Sequence, residues 1–284
     1  MFLVTGSNGL LGSEIRRILG SDKGIYTDRN ELDVTDKNSI KKFLMSRKDI
    51  EVIINCAAGA NAEYIEENSE WGRRITVDAP MYLAQEAKEN GIKLIHISTD
   101  YVFDGDRNVP YIESDYTNGL SLYGRFKAEG EQAVLKNSDT CAIIRTAWLF
   151  SEQMKDFIGA MVRLSETRDS VNVVFDQVGS PTYVPDLASH IITIANNLNV
   201  GEKEIFHVTN EGVCSWYDIA CQIMRELKID CKVKPIRSSE YKTKAARPHY
   251  SVLDKKKVKE RFSLEIRHYS DALSECLKNI HATR

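Results

Sequence analysis

The chain has 284 residues, 42% hydrophobic and 28% charged, with a formal net charge of −3. That length can bury a large core and suits one large domain or two unequal ones. No basic block marks a nucleic-acid partner, and the longest apolar runs, such as Val52-Ile53-Ile54, are far too short to cross a bilayer.

Met1-Phe2-Leu3-Val4-Thr5-Gly6 carries no charged n-region, so no signal peptide is expected. Phe2 to Thr5 reads as a first strand and Leu10 to Leu19 as a first helix. Between them, Thr5-Gly6-Ser7-Asn8-Gly9-Leu10-Leu11-Gly12 has the spacing Gly-x-x-Gly-x-x-Gly. Glycines there permit a tight turn and close approach of backbone to a pyrophosphate, which the helix N-terminus then faces with free N–H groups. Gly6, Asn8, Gly9, Leu10 and Gly12 are therefore candidate dinucleotide contacts.

Gly24 to Thr27 is a second strand, ending at Asp28-Arg29. An acid at that place binds a ribose 2′-hydroxyl and a base tolerates a 2′-phosphate. The chain offers both, so NADH and NADPH stay open. Asp33 and Val34 stand where an adenine is met. Asp36 to Arg47 reads as a helix and Val52 to Asn55 as a third strand. Cys56, Ala57 and Ala58 follow it, small enough for a cofactor to cross the strand end or for close helix–sheet packing. A long helix from Ser69 to Glu89 closes at Gly91. Ile92 to Ile97 is a fourth strand, leading into Ser98-Thr99-Asp100-Tyr101-Val102-Phe103-Asp104-Gly105.

Leu120 to Leu135 reads as a helix carrying Tyr123 and Lys127, four residues apart and so on one face. An ammonium beside a phenol favours the phenolate, which predicts a Tyr123 pKa below its reference of about 10 and a proton donor usable near neutral pH. Thr99, at a strand's carboxyl end, can bind the same reacting oxygen. Cys141 to Ile144 is a fifth strand. Strands alternating with helices imply a doubly wound parallel sheet.

Beyond Thr146 the rhythm loosens. Val171 to Phe175, Ile205 to Val208 and Lys232 to Ile236 read as strands, and Pro185 to Asn196 as a helix. Ser215 is a natural N-cap for a helix through about Leu227. Lys255-Lys256-Lys257 reads as a solvated helix face. Residues 1–145, with a return near 183–198, form the expected dinucleotide-binding domain, and 146–284 form mainly a smaller, irregular α/β substrate lobe. The six cysteines include no Cys-x-x-Cys and read as reduced thiols of a cytoplasmic protein. The six histidines have no metal-ligand spacing.

Taken together these motifs resemble the extended short-chain dehydrogenase/reductase family (Rossmann fold), most closely its dTDP-4-dehydrorhamnose reductase branch. The resemblance runs nearly end to end. It includes Leu32 to Asp36, Ser98 to Gly105, Tyr123-Gly124-x-x-Lys127, Arg145-Thr146-Ala147-Trp148 and Asp176 to Thr182. Ser215-Trp216-Tyr217-Asp218 and Arg247-Pro248-x-x-Ser251-Val252-Leu253 complete it. It implies hydride transfer from NADPH or NADH to C4 of a nucleotide-linked 4-keto-6-deoxy sugar, with Thr99, Tyr123 and Lys127 as the catalytic trio. Tyr123 would protonate the oxygen, Lys127 would tune Tyr123 and hold the nicotinamide ribose, both Tyr123 and Lys127 would contact the cofactor, and Thr99 would bind the carbonyl oxygen. It places the sugar side at Ala60, Thr99, Tyr101, Val102, Phe103, Trp148 and Arg247. Trp148 reads otherwise as a core aromatic and Arg247 as a surface cation. A homodimer, with a divalent metal at its interface, accompanies some members; no carboxylate cluster here locates such a metal.

The chain departs from the branch in several places. Ala60 replaces a threonine, Glu63-Tyr64 replaces Asp-Lys, and Thr76 replaces a helix asparagine. The proline before Tyr123 is missing, with Thr117-Asn118-Gly119-Leu120 in its loop, and Asp156 replaces an asparagine. The changes crowd the sugar side, so a sister reductase or epimerase, or a cofactor-binding regulatory subunit without turnover, are the competing expectations.

Overall fold

The structure, a computed structural model, describes residues 1–59 and 61–283. Its first half runs β1 (Phe2–Thr5), α1 (Leu10–Lys23), β2 (Gly24–Thr27), α2 (Lys37–Met45), β3 (Val52–Asn55), α3 (Ala62–Glu67) and α4 (Ser69–Arg73). A π-helical turn, Arg74–Asp78, joins α4 to α5 (Ala79–Glu89). Then come β4 (Lys93–Thr99), α6 (Leu122–Asn137) and β5 (Cys141–Thr146). The second half contains β6 (Leu149–Phe150), α7 (Phe157–Ser165), β7 (Ser170–Val174), β8 (Val178–Gly179), β9 (Thr182–Tyr183), α8 (Val184–Asn197) and β10 (Lys203–His207). It closes with β11 (Cys214–Ser215), α9 (Trp216–Glu226), β12 (Lys232–Ile236), α10 (Lys256–Phe262) and α11 (Tyr269–Thr283).

Six strands form one sheet in the order β10-β5-β4-β3-β1-β2. Every pair is parallel. β3 and β5 are buried on both faces, as a covered parallel sheet requires. Leu11, Ile15, Leu187 and Ile191 of α1 and α8 cover one face with Val4, Ile54 and Ile95. Ile40, Leu83 and Val134 of α2, α5 and α6 cover the other with Leu3, Ile53 and Ile143. This is the doubly wound Rossmann arrangement. Short paired strands and helices α7, α9 and α11 enclose a separate core with Ile158, Ile223 and Leu277. No helix among the described residues is long and apolar enough to cross a membrane.

Several local signals acted as the sequence suggests. Gly91 adopts φ 67° after Asn90, a left-handed step open to glycine without strain. Ser215 caps α9 in a reciprocal box with Asp218. The end of the first helix at Leu19 falls where Gly20 takes φ 69°, although helical bonding resumes to Lys23.

Other readings needed correction. The strand at Lys203–His207, expected in the irregular half, pairs with β5 at the edge of the large sheet. Its residues lie far along the chain, and only tertiary pairing recruits them. The run Lys255–Lys257 is not a uniformly solvated face. Lys255 is buried against Glu211 at 3.2 Å, and Lys257 pairs with Glu204 at 2.6 Å. Helices α3, α7 and α11 escaped the sequence reading. In α7 the signal was present, because Asp156 accepts the amides of Ile158 and Gly159 as its N-cap.

Candidate active site

The loop after β1 turns at Gly6, whose φ is 65°. A Cβ there would lie 2.7 Å from the Ala57 amide nitrogen. Gly12 is more constrained, since its Cβ would meet the Gly6 carbonyl oxygen at 2.3 Å. The loop and the first turn of α1 are thus packed backbone on backbone. Gly12→Ala is expected to force that turn open at a cost of about 1–3 kcal/mol. Dinucleotide affinity should fall together with thermal stability, measurable by fluorescence titration and melting.

Beside the loop lies a cleft of about 410 Å³ lined by Gly6, Asn8, Gly9, Asp28, Arg29, Asp33, Val34, Cys56, Ala57 and Ala58, all singled out from the sequence. Leu10, Gly12, Tyr123 and Lys127 do not line it. The Leu10 side chain packs on the sheet core, and Gly12 supports the loop from below. Leu32, Thr35, Trp71, Arg74 and Ile75 also line the cleft and were missed. Trp71, Arg74 and Ile75 reach it through α4 and the π-helical turn, which no local motif announces. Asp28 accepts the Arg29 amide at 2.8 Å and the Asn8 amide at 3.3 Å, tying β2 to the glycine loop. The Thr35 hydroxyl and amide hold Asp33 below the usual carboxylate range, with help from Arg29 and Arg74. The glycine turn, the strand-end alanines and the free helix start fit a dinucleotide.

At the carboxyl end of β4, Thr99 donates to Asp100 at 3.0 Å and faces the Tyr123 phenol. The expected ammonium–phenol pairing is not what sets Tyr123. Burial pushes its pKa up to about 12, against the Thr99 hydroxyl, which pulls it down. The cost of a phenolate away from water outweighs any help from Lys127. Lys127 instead donates to the Ile97 carbonyl at 2.6 Å. Its own pKa falls from 10.5 to about 8 through burial, opposed by Glu131 and Cys56. Asp100, overlooked in the sequence, is pushed up to about 6 by burial, against the Ser251 and Thr99 hydroxyls.

Behind this group lies a buried ion pair. Arg145 on β5 donates to Glu131 on α6 at 2.9 and 2.7 Å, and both are essentially inaccessible to solvent. Ser98 donates to the same carboxylate. Glu131 lies one turn beyond Lys127, so a buried-face reading of the helix could have found it.

On the sugar side, the Tyr101 ring meets that of Tyr123 edge-on with centroids 5.7 Å apart. Trp148 adopts φ 49° and stacks on Trp216 at 3.7 Å, so it is a packed aromatic as well as a candidate contact. Arg247 Nη2 lies 3.6 Å from Glu63 Oε1. Val102 and Phe103 are a correction. Both side chains are fully buried with Tyr111 and Leu253, and Phe103 stacks on Tyr111 at 4.1 Å. The 3₁₀ turn Asp100–Val102 tucks them beneath the site. Ala60 lies outside the described residues. Among those residues no group of three or more His, Cys, Asp or Glu side chains could hold a metal ion.

Residues 1–282 match the family described as RmlD substrate binding domain. A dTDP-4-dehydrorhamnose reductase from Aggregatibacter actinomycetemcomitans is 38% identical, over 99% of this chain and 98% of its own. A dTDP-4-keto-6-deoxy-D-glucose reductase from Streptomyces niveus is 36% identical, with the same coverage. The crystal structure of a dTDP-4-dehydrorhamnose reductase from Bacillus anthracis in complex with NADP superposes with a TM-score of 0.93, at 30% identity and 98% coverage of both chains. Matched over residues 1–282 and at 38% identity end to end, the chain belongs to the dTDP-4-dehydrorhamnose reductase branch of the extended short-chain dehydrogenase/reductases, the family of the RmlD substrate binding domain.

Proposed function

We propose that the chain reduces the 4-keto group of dTDP-4-dehydrorhamnose to give dTDP-L-rhamnose. The observation that carries this is the placing of the Thr99 and Tyr123 hydroxyls together at the end of β4, with Lys127 one helical turn away. A nicotinamide cofactor bound in the cleft supplies the hydride. Thr99 and Tyr123 direct two hydroxyls at the keto oxygen as it gains charge, and Tyr123 gives it a proton. Lys127, anchored on the Ile97 carbonyl, holds the nicotinamide ribose.

The remaining assignments are part of the same reading. Gly6, Asn8, Gly9, Asp28, Arg29, Asp33, Val34 and Cys56 to Ala58 hold the cofactor; Tyr101, Trp148 and Arg247 face the sugar nucleotide. Residues 1–145 and 183–198 build the cofactor domain, joined by β10, and the second core builds the substrate lobe. Arg29 and Arg74 both line the cleft, and two cations there suit the 2′-phosphate of NADPH. Six free cysteines fit a reducing cytoplasm.

A second reading, another dTDP-linked 4-keto sugar as substrate, is favoured by Glu63 and by the Streptomyces niveus relative. Reduction rates with dTDP-4-dehydrorhamnose and a panel of other 4-keto nucleotide sugars separate the two. A rate with dTDP-4-dehydrorhamnose no higher than the others would reject the first. Absence of turnover with any of them would leave a cofactor-binding regulatory subunit.

A further inference from the structure

Glu63 lies in the first turn of α3, where the chain departs from the family pattern. Its carboxylate is held by one end. Oε2 accepts the backbone amides of Lys244 at 2.7 Å and Ala245 at 3.3 Å. Oε1 is buried and has no hydrogen-bond partner among the described residues. Arg247 Nη2, at 3.6 Å, is too far for a hydrogen bond. Both groups act on the Tyr101 hydroxyl: Arg247 lowers its pKa and Glu63 raises it, within a larger upward push from burial. The Tyr101 ring in turn touches Tyr123.

A staple alone does not account for this geometry. The same segment is tied a second time, by the ion pair of Lys244 with Glu67. The two amides use Oε2, which leaves Oε1 with the long ion pair to Arg247 and no hydrogen bond among the described residues. A buried acceptor left unmade costs stability, and a ligand hydroxyl that donates to it removes the cost. Two fixed polar groups of opposite charge, an acceptor and a fork of donors, around the Tyr101 hydroxyl suit a sugar ring that carries both hydroxyls and an anionic diphosphate.

We propose that Glu63 Oε1 accepts a hydrogen bond from a ring hydroxyl of the sugar, with Arg247 on its anionic side, so that Glu63 helps to select the nucleotide sugar. This rests on the reductase reading above. Glu63→Gln keeps an oxygen for the Lys244 and Ala245 amides and replaces the free acceptor with an NH₂ donor. Calorimetry on the full chain would compare NADPH, dTDP and dTDP-L-rhamnose.

NADPH and dTDP should bind Glu63→Gln within about 2-fold of the wild type, and dTDP-L-rhamnose about 10-fold or more weaker. Glu63→Asp, which keeps the charge but withdraws it by one methylene, should show the same selective loss. NADPH binding reports that each variant is folded. Unchanged dTDP-L-rhamnose affinity in both variants would overturn the proposal. So would an equal loss for dTDP, because Glu63 would then act through the segment that carries Arg247. A wild-type chain that binds NADPH but not dTDP-L-rhamnose overturns the reductase reading and this proposal together. That outcome is told apart because the wild type itself fails.

Discussion

Tyr123→Phe is expected to lower kcat for ketone reduction by about 10²–10⁴-fold, the range for loss of a positioned general acid. NADPH affinity should hold, since the ring remains and only the hydroxyl is lost. Stopped-flow reduction and cofactor titration measure the two separately. Wild-type activity in the variant would reject the assigned role.

The pH dependence follows from the same site. With a pKa near 12, Tyr123 keeps its proton throughout the neutral range. Asp100 titrates on the acid side, at about 6, and Lys127 on the alkaline side, at about 8. The Lys127 pKa is depressed by burial, so the ammonium is present below pH 8 and lost as pH rises through it. The profile of kcat/KM should therefore fall on its alkaline side near 8. Lys127→Met should remove that limb at a much lower rate. Glu131 raises the Lys127 pKa. Glu131→Gln should therefore shift the limb to lower pH, an effect that a purely structural role would not produce.

Arg145→Met is expected to destabilise the fold by about 3–5 kcal/mol, because it leaves the Glu131 carboxylate charged, buried and unpaired. Urea unfolding measures this. The pair is buried between β5 and α6, where water cannot replace the lost partner. The double replacement Glu131→Leu, Arg145→Met should be less destabilised than the sum of the single changes, since neither charge is then stranded. Strict additivity would show that the two groups do not act as a unit.

The sequence by itself determined the parallel sheet and the placing of its chemistry. Runs such as Val52 to Asn55 alternate with amphipathic helices, and the glycine spacing fixes the loop at β1. These signals are local, so they were legible. The positions of Thr99, Tyr123 and Lys127 followed from the same local order. Only the tertiary structure decided what depends on contacts between distant segments. Desolvation, not the neighbouring ammonium, sets the Tyr123 proton. The tucking of Val102 and Phe103 beneath the site removes two expected sugar contacts. The edge strand at Lys203–His207, the reach of Arg74 into the cleft and the hold of Glu63 on Lys244 and Ala245 all join residues remote in the chain. Periodicity reports which face of an element is buried; it carries no information about which distant element covers that face.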